Sequence, residues 1–207
     1  MEKKKLIKIF DKQAKRYEKS KETLKQQRMR NSLISKAEGE VLELAVGAGA
    51  NFPYYQQGVT VTATDFSEAM LEKAKISARN NNVDAKFICS DLEEISFERH
   101  SFDTIVSTLS FCSYENPLFM MEKIQQWCKP GGKILLLEHG ISNNRFVAIL
   151  QKILNPLLFR TIGCHHTRNI LEMTQQSGLF VERVESHYFN IVHVIWAKPG
   201  DKIHKVI

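Results

Sequence analysis

The sequence predicts a doubly wound α/β sheet of seven strands, mostly parallel and ending in an antiparallel hairpin, and three observations carry that reading. From Glu40 onward, short aliphatic or β-branched runs alternate with helical periodicity. A glycine turn, Gly47-Ala48-Gly49, follows the first of those runs. After Asn169 the alternation gives way to one helix and two closely spaced strands.

Each element follows from its local pattern. Val41 to Ala45 reads as a short buried strand, and Val59 to Thr64 as a β-branched second strand. Ser67 is placed to cap a helix that runs to Asn80. Ala85 to Cys89, Thr104 to Thr108 and Lys133 to Leu137 supply the next three strands. Leu118 to Cys128 forms the helix between the last two, stopped by Lys129-Pro130-Gly131-Gly132. Asn169 to Ser177 is the last helix, and Phe180 to Ser186 with Ile191 to Ala197 makes the hairpin. A helix is also expected directly after the glycine turn. The segment from Asn144 to Arg160 places Phe146, Ile149, Ile153 and Leu157 on one helical face. That pattern most often means core packing; a lid over an apolar ligand and a membrane-touching surface are the alternatives.

Length and charge divide the chain in two. At 207 residues it suits one compact body with a short appendage, here residues 1–35 as a basic helical arm and 36–207 as the domain proper. The net charge of +6 belongs to the arm: residues 1–30 hold twelve Lys and Arg against four Asp and Glu, which leaves the rest at −2. Ile7, Phe10, Ala14 and Tyr17 share one face of this arm and are expected to pack on the body. A solvated basic face is the plainest account of its charge, with anionic lipid or nucleic acid as alternatives. The start lacks the continuous apolar stretch of a signal peptide, and no later segment is apolar for long enough to span a bilayer. Cys89, Cys112, Cys128 and Cys164 lie far apart, so free thiols in a reduced, cytoplasmic protein are expected, and no metal site.

The glycine turn gains meaning from the acids around it. Glycines between a buried strand and the next element let backbone amides approach a ligand closely. Asp65 ends the second strand, 22 residues after Glu43, where a carboxylate accepts ribose hydroxyls. Asp91 follows the third strand, between Ser90 and Leu92, placed to take an adenine amino group with Leu92 against the ring. A dinucleotide fold would need a third glycine, but that position is Phe52, followed by Pro53. Glu43 would repel a pyrophosphate and suits a ligand with an ammonium group, such as the methionine part of S-adenosylmethionine.

Taken together, these stretches resemble the class I S-adenosylmethionine-dependent methyltransferases over roughly Phe10 to Lys198. ELAVGAGAN looks like their first motif, VTATDFSEAML like the ribose-binding motif, and FICSDLEEISFERHSFDTIVSTLSF like the adenine-side and fourth strands. WCKPGGKILLLEHG resembles the helix, turn and strand that follow. The resemblance implies a cofactor site of Glu43, Ala45, Gly47, Gly49, Asn51, Asp65, Phe66, Met70, Ser90, Asp91, Leu92, Ser107 and Thr108, with S-adenosylhomocysteine as product. Ala45 stands where the family usually has glycine. FDKQAKRYEKSKE is similar to the amino-terminal helix of the menaquinone and ubiquinone biosynthesis methyltransferases, which implies that Tyr17 closes over the cofactor. NPLLFRTIGCHHTRN and STLSFCS are similar to the animal thiol methyltransferases of the methyltransferase-like group.

The acceptor side is less defined. His139, directly after the fifth strand, is the candidate base for an acceptor that must lose a proton. Cys112, His165, His166 and Arg168 are expected around the substrate pocket, although small-hydrophobe packing is the plainer job for Cys112. The fourth strand lacks the Asn/Asp-Pro-Pro-Tyr/Phe of base-amino methyltransferases, and no Pro-Cys nucleophile occurs. The expected activity is therefore methyl transfer to a small, partly apolar thiol, quinone-like or lipid acceptor. An RNA-modifying enzyme and a cofactor-binding protein without turnover are the alternatives. Peripheral contact of the arm with an anionic membrane is the other expected partnership.

Overall fold

The computed structural model describes residues 1–17 and 22–200, without the side chains of Arg16 and Tyr17. Seven strands form one sheet in the order β3-β2-β1-β4-β5-β7-β6. They are β1 Glu40–Leu44, β2 Thr60–Asp65, β3 Asp84–Cys89, β4 Phe102–Thr108, β5 Cys128–His139, β6 Phe180–His187 and β7 Val192–Lys198. The first five run parallel, while β7 is antiparallel to both β5 and β6. This is the seven-stranded arrangement the sequence predicts. The order reverses at β1 and β4, so the crevice beyond their carboxyl ends is where such a sheet binds ligands.

The strands alternate between two cores. On β1, Leu42 and Leu44 face a cluster with Ile105, Met120, Ile124 and Trp127, under α4 Pro117–Trp127 and α6 Ile170–Gln176. Val41 faces the opposite cluster with Val61, Leu33, Ile34 and Leu71, under α2 Leu24–Ile34 and α3 Glu68–Asn80. Leu33 and Ile34 are completely buried, each worth roughly 1.5–3 kcal/mol. Thus α2, although part of the basic first 35 residues, anchors the body, while α1 Lys3–Tyr17 lies across the crevice.

Local signals place the helices well. Ser67 caps α3 by accepting the Met70 N–H, and Asn169 caps α6 by accepting that of Glu172. The hydrophobic face of α1 packs as expected, with Ala14 buried and Phe10 edge-on to Phe66 at 5.2 Å between ring centroids. Tyr17's predicted closure over the cofactor lies outside the described residues.

Three expectations need correction. The glycine turn leads into a single 3-10 turn, Phe52–Tyr54, and not an α-helix, because Pro53 and Gly58 leave no room for one before β2. The Lys129–Gly132 segment belongs to β5, which starts at Cys128, five residues before the predicted start at Lys133. Helix α5, Arg145–Ile162, buries none of its residues: Phe146 is 83%, Ile153 69% and Leu157 61% exposed. Its apolar periodicity is real, but nothing in the described residues covers that face.

Candidate active site

Two adjoining cavities of about 250 and 310 Å³ lie over the carboxyl ends of β1 to β5 and share Ala45, Asp65 and Phe66. The first is lined further by Ser90, Asp91 and Leu92 and roofed by Lys3, Leu6 and Ile7 of α1. The second runs past Gly47, Met70 and Thr108 to Cys112, His139 and Cys164.

Asp65 is the hinge of this cleft. One carboxylate oxygen accepts the Gly47 N–H at 2.9 Å and the other the Ser67 N–H at 2.9 Å, which ties the β2 end to the glycine turn. Burial raises its pKa to about 6, against the pull of those N–H donors, and Asp11 of α1 adds to the rise. The two glycines differ in purpose. A Cβ on Gly47 would meet nothing within 4 Å, so the turn is open toward the cleft there. One on Gly49 would lie 2.6 Å from Phe52 and 2.9 Å from Ser77, so that glycine serves packing against α3 and does not line the cavity. Ala45 has φ of +47°, which explains why glycine suits the position.

Glu43 sits behind the cleft wall. It does not line either cavity; its carboxylate is buried and accepts Asn51 Nδ2 at 2.7 Å and Tyr55 Oη at 2.8 Å. Burial raises its pKa to about 7. Asn51, also behind the wall, passes the link to Arg30, whose guanidinium donates to Asn51 Oδ1 at 2.6 Å and Thr108 Oγ1 at 3.2 Å. Arg30 lines the second cavity and is ion-paired with Glu22 at 2.7 Å. Sequence reasoning missed it, since a lone arginine on a basic segment carries no sign of burial.

Asp91 lines the first cavity, but its carboxylate is ion-paired with Lys3, which also reaches Glu94 at 2.7 Å. It also accepts the Glu93 N–H at 2.7 Å. Ser107, expected in the cleft, turns inward: its hydroxyl donates to Glu138 at 2.7 Å. Glu138, another residue missed from sequence, is completely buried and accepts the N–H groups of Ser110 and Phe111 at 3.1 and 3.2 Å. It thereby shapes the loop after β4.

The far end of the cleft gathers residues from three separated segments. Cys112 and Cys164 are joined as a disulfide, with Cα atoms 5.1 Å apart, across a sequence separation of 52. Free thiols were expected; only Cys89 and Cys128 are free. His139 Nε2 lies 3.0 Å from Cys164 Sγ, while Nδ1 is buried without a hydrogen-bond partner. Burial, with Arg168 and His166 nearby, lowers the His139 pKa to about 4, so the ring is neutral. His166 packs tilted against His139, ring centroids 4.7 Å apart, and lines neither cavity, whereas His165 and Arg168 line the first. Arg168 donates to the carbonyls of Phe111 and Tyr114. Sequence spacing argued against any metal-type cluster, yet ligand atoms of Cys112, His139 and Cys164 lie within 4.8 Å of one another.

The cleft fits an adenosyl cofactor on structural grounds: an open glycine turn, a carboxylate at the second strand end and another at the third. The methyltransferase-domain family matches residues 42–136. Over 168 residues the chain is 29% identical to a thiol S-methyltransferase of Rattus norvegicus, covering 78% of this chain and 64% of that protein's length. It is 28% identical over 145 residues to a phosphatidylethanolamine N-methyltransferase of Cereibacter sphaeroides, covering 69% and 71%. Among solved structures, a protein of Pyrococcus horikoshii superposes with a TM-score of 0.67 at 21% identity, covering 87% of this chain and 92% of that one. With strand order, glycine turn and strand-end acids all in place, these matches support a class I S-adenosylmethionine-dependent methyltransferase.

Proposed function

We propose that the chain transfers a methyl group from S-adenosylmethionine to a small, partly apolar acceptor, with a thiol favoured over a quinone-like or lipid group. The observation that carries this reading is the continuous cleft that joins Asp65 and Gly47 to a sulfur- and imidazole-lined end. When bound, S-adenosylmethionine supplies an electrophilic methyl group on a sulfonium whose departure needs no acid. Asp65 accepts the ribose hydroxyls, and Asp91 accepts the adenine amino group after Lys3 releases it. Leu92 packs on the base, and Arg30 balances the carboxylate of the methionine part. His139, neutral and lining the far cavity, is the group placed to receive the acceptor's proton. The remaining acceleration is alignment and exclusion of water.

Calorimetry with S-adenosylmethionine, followed by homocysteine release across alkyl thiols, phenols and lipids, tests the reading. Binding with turnover on thiols supports it, and no binding sinks it. Binding without turnover on any acceptor supports a non-catalytic cofactor protein, and incorporation into RNA supports the polynucleotide alternative.

The exposed face of α5 favours a second element of function: a membrane-facing surface through which apolar acceptors enter. Phe146, Ile149, Leu150, Ile153 and Leu157 point outward, and α1 packs beside α5, with Gln13 Nε2 donating to the Ile162 carbonyl at 3.0 Å. Lys4, Lys5, Lys8, Lys12 and Lys15 of α1 are exposed, each worth about 1 kcal/mol near an anionic surface. No helix among the described residues is long and apolar enough to cross a membrane, so the contact is peripheral. Co-sedimentation with phosphatidylglycerol vesicles, lost in Phe146→Glu and Ile153→Glu, checks this; equal recovery with neutral vesicles only, or with none, contradicts it.

A further inference from the structure

We propose that Cys112, Cys164 and His139 form, in the reduced protein, a site for a thiophilic divalent cation of the zinc class, whose fourth position takes the acceptor thiol as a thiolate. The proposal rests on the thiol reading of the acceptor given above. Its dithiol state arises when a thiol reductant opens the Cys112–Cys164 disulfide and is itself oxidised to a disulfide.

Three features support the assignment. The first is the donor set: two sulfurs and one imidazole nitrogen, all within 4.8 Å of one another, from the loop after β4, the end of β5 and the loop after α5. Two thiolates and an imidazole with one open position is a ligand set of catalytic zinc. With metal–sulfur bonds of about 2.3 Å and metal–nitrogen of about 2.0 Å, ligand atoms stand roughly 3.5–3.8 Å apart, so the two sulfurs, bonded to each other in this structure, move apart once the disulfide opens.

The second is a buried group left without partners. His139 is only 9% exposed, its Nδ1 has no partner, and its Nε2 faces a disulfide sulfur that carries no proton to give. A buried imidazole so poorly satisfied costs free energy. Opening the disulfide turns the Cys164 sulfur beside Nε2 into a ligand, so a cation between them takes the Nε2 lone pair, with the proton on Nδ1. The His139 backbone is held by pairing with Val192 in the sheet, and its ring packs against that of His166 at 4.7 Å between centroids.

The third is placement. The same three residues line the cavity that contains Gly47, Asp65 and Thr108, so the open position faces the donor end of the cleft. Charge also fits. Two thiolates neutralise the dication, and in this reduced, metal-bound state His139 acts as a ligand in place of the base role given above, so the acceptor thiol loses its proton to solvent as its sulfur joins the metal. The resulting complex carries one negative charge toward a sulfonium donor.

The test uses the full chain reduced with a phosphine under argon and titrated with Co²⁺, and with Zn²⁺ for metal analysis. The expected result is one cation per chain, with a thiolate-to-cobalt charge-transfer band and the intense visible bands of tetrahedral Co²⁺. Cys112→Ser and Cys164→Ser each weaken binding more than about 100-fold, beyond what outer-shell changes produce. Cys89→Ser, at an exposed free thiol, binds as the parent does. Adding an alkyl thiol with S-adenosylhomocysteine intensifies the charge-transfer band as a third thiolate joins. A reduced protein with four titratable thiols and no cobalt spectrum overturns the proposal, as does binding that survives both serine substitutions. Because Cys112 is buried, thermal melts accompany its variant, and Cys164→Ser, in the loop, decides if that protein unfolds. Calorimetry with S-adenosylmethionine on the same samples separates the failures. Normal cofactor affinity without a cobalt spectrum sinks the cation site alone, and absent cofactor affinity sinks the reading beneath it.

Discussion

The two ends of the cleft are built differently. At the donor end, Gly47, Asp65 and Asp91 each sit at the end of a parallel strand, one crossover apart in sequence, and the sheet itself sets their spacing. At the acceptor end, Cys112, His139, Cys164 and Arg168 come from loops that only tertiary packing brings together. A fold that standardises the first end and leaves the second to loops can keep one donor while changing acceptors. The relatives' names, a thiol and a phospholipid amine among them, agree with that division.

The comparison breaks most easily at Asp65. In the proposed role its carboxylate accepts two ribose hydroxyls, and a hydrogen bond to a charged group is worth about 1.5–3 kcal/mol. Asp65→Ala should therefore weaken S-adenosylmethionine binding by about 100-fold or more, measured by calorimetry, on any acceptor. Affinity within about threefold of the parent would remove Asp65 from the donor end. Next in size is His139→Ala, which should lower turnover by about 100-fold while cofactor affinity changes less than about threefold. If both fell together, the two ends would not be separable. Unchanged turnover would remove His139 from the chemistry.

What the sequence made legible follows the same line. Val41 to Leu44, the Ser67 cap, Asp65 and Asp91 are local features, and the physics that places them acts over a few residues. Alternation along β1 sends Glu43 to the face of Val41, behind Asn51 and Tyr55, and a motif does not show which side of a wall a carboxylate occupies. The Cys112–Cys164 pair is 52 residues apart, and no spacing rule sees across an 18-residue helix. For α5, periodicity gives an apolar face but says nothing about what covers it. Lys3 on Asp91 is a long-range ion pair from the arm, equally invisible before folding.

A smaller effect sharpens the donor end by pH. The pKa of Asp65 is raised to about 6, and ribose hydroxyls favour its charged form, so cofactor affinity should rise about tenfold between pH 5 and 7. The apoprotein should move the other way. A raised carboxylate contributes stability that is full below its unfolded value near 4 and is lost as pH passes the folded value, here about 6 for Asp65 and about 7 for Glu43. Calorimetric titrations and apoprotein melts across pH 4.5–7.5 check both slopes, and a flat affinity profile would contradict the ribose role.

The smallest effect concerns Ala45, the one residue of the turn that departs from its family. At φ +47° an L-residue bears roughly 1–2 kcal/mol of strain that glycine does not. Glycine loses about 0.5–1 kcal/mol through its freer unfolded chain, so Ala45→Gly should gain about 0.5–1 kcal/mol. That raises the melting temperature by about 2–4 °C at most for a chain of this size. The Ala45 methyl lines both cavities but also packs against the cluster of Leu42 and Leu44. Cofactor affinity should therefore stay within about threefold, and a lowered melting temperature would mean that the methyl's packing outweighs the strain. In that case the alanine is part of the core rather than a flaw in the turn.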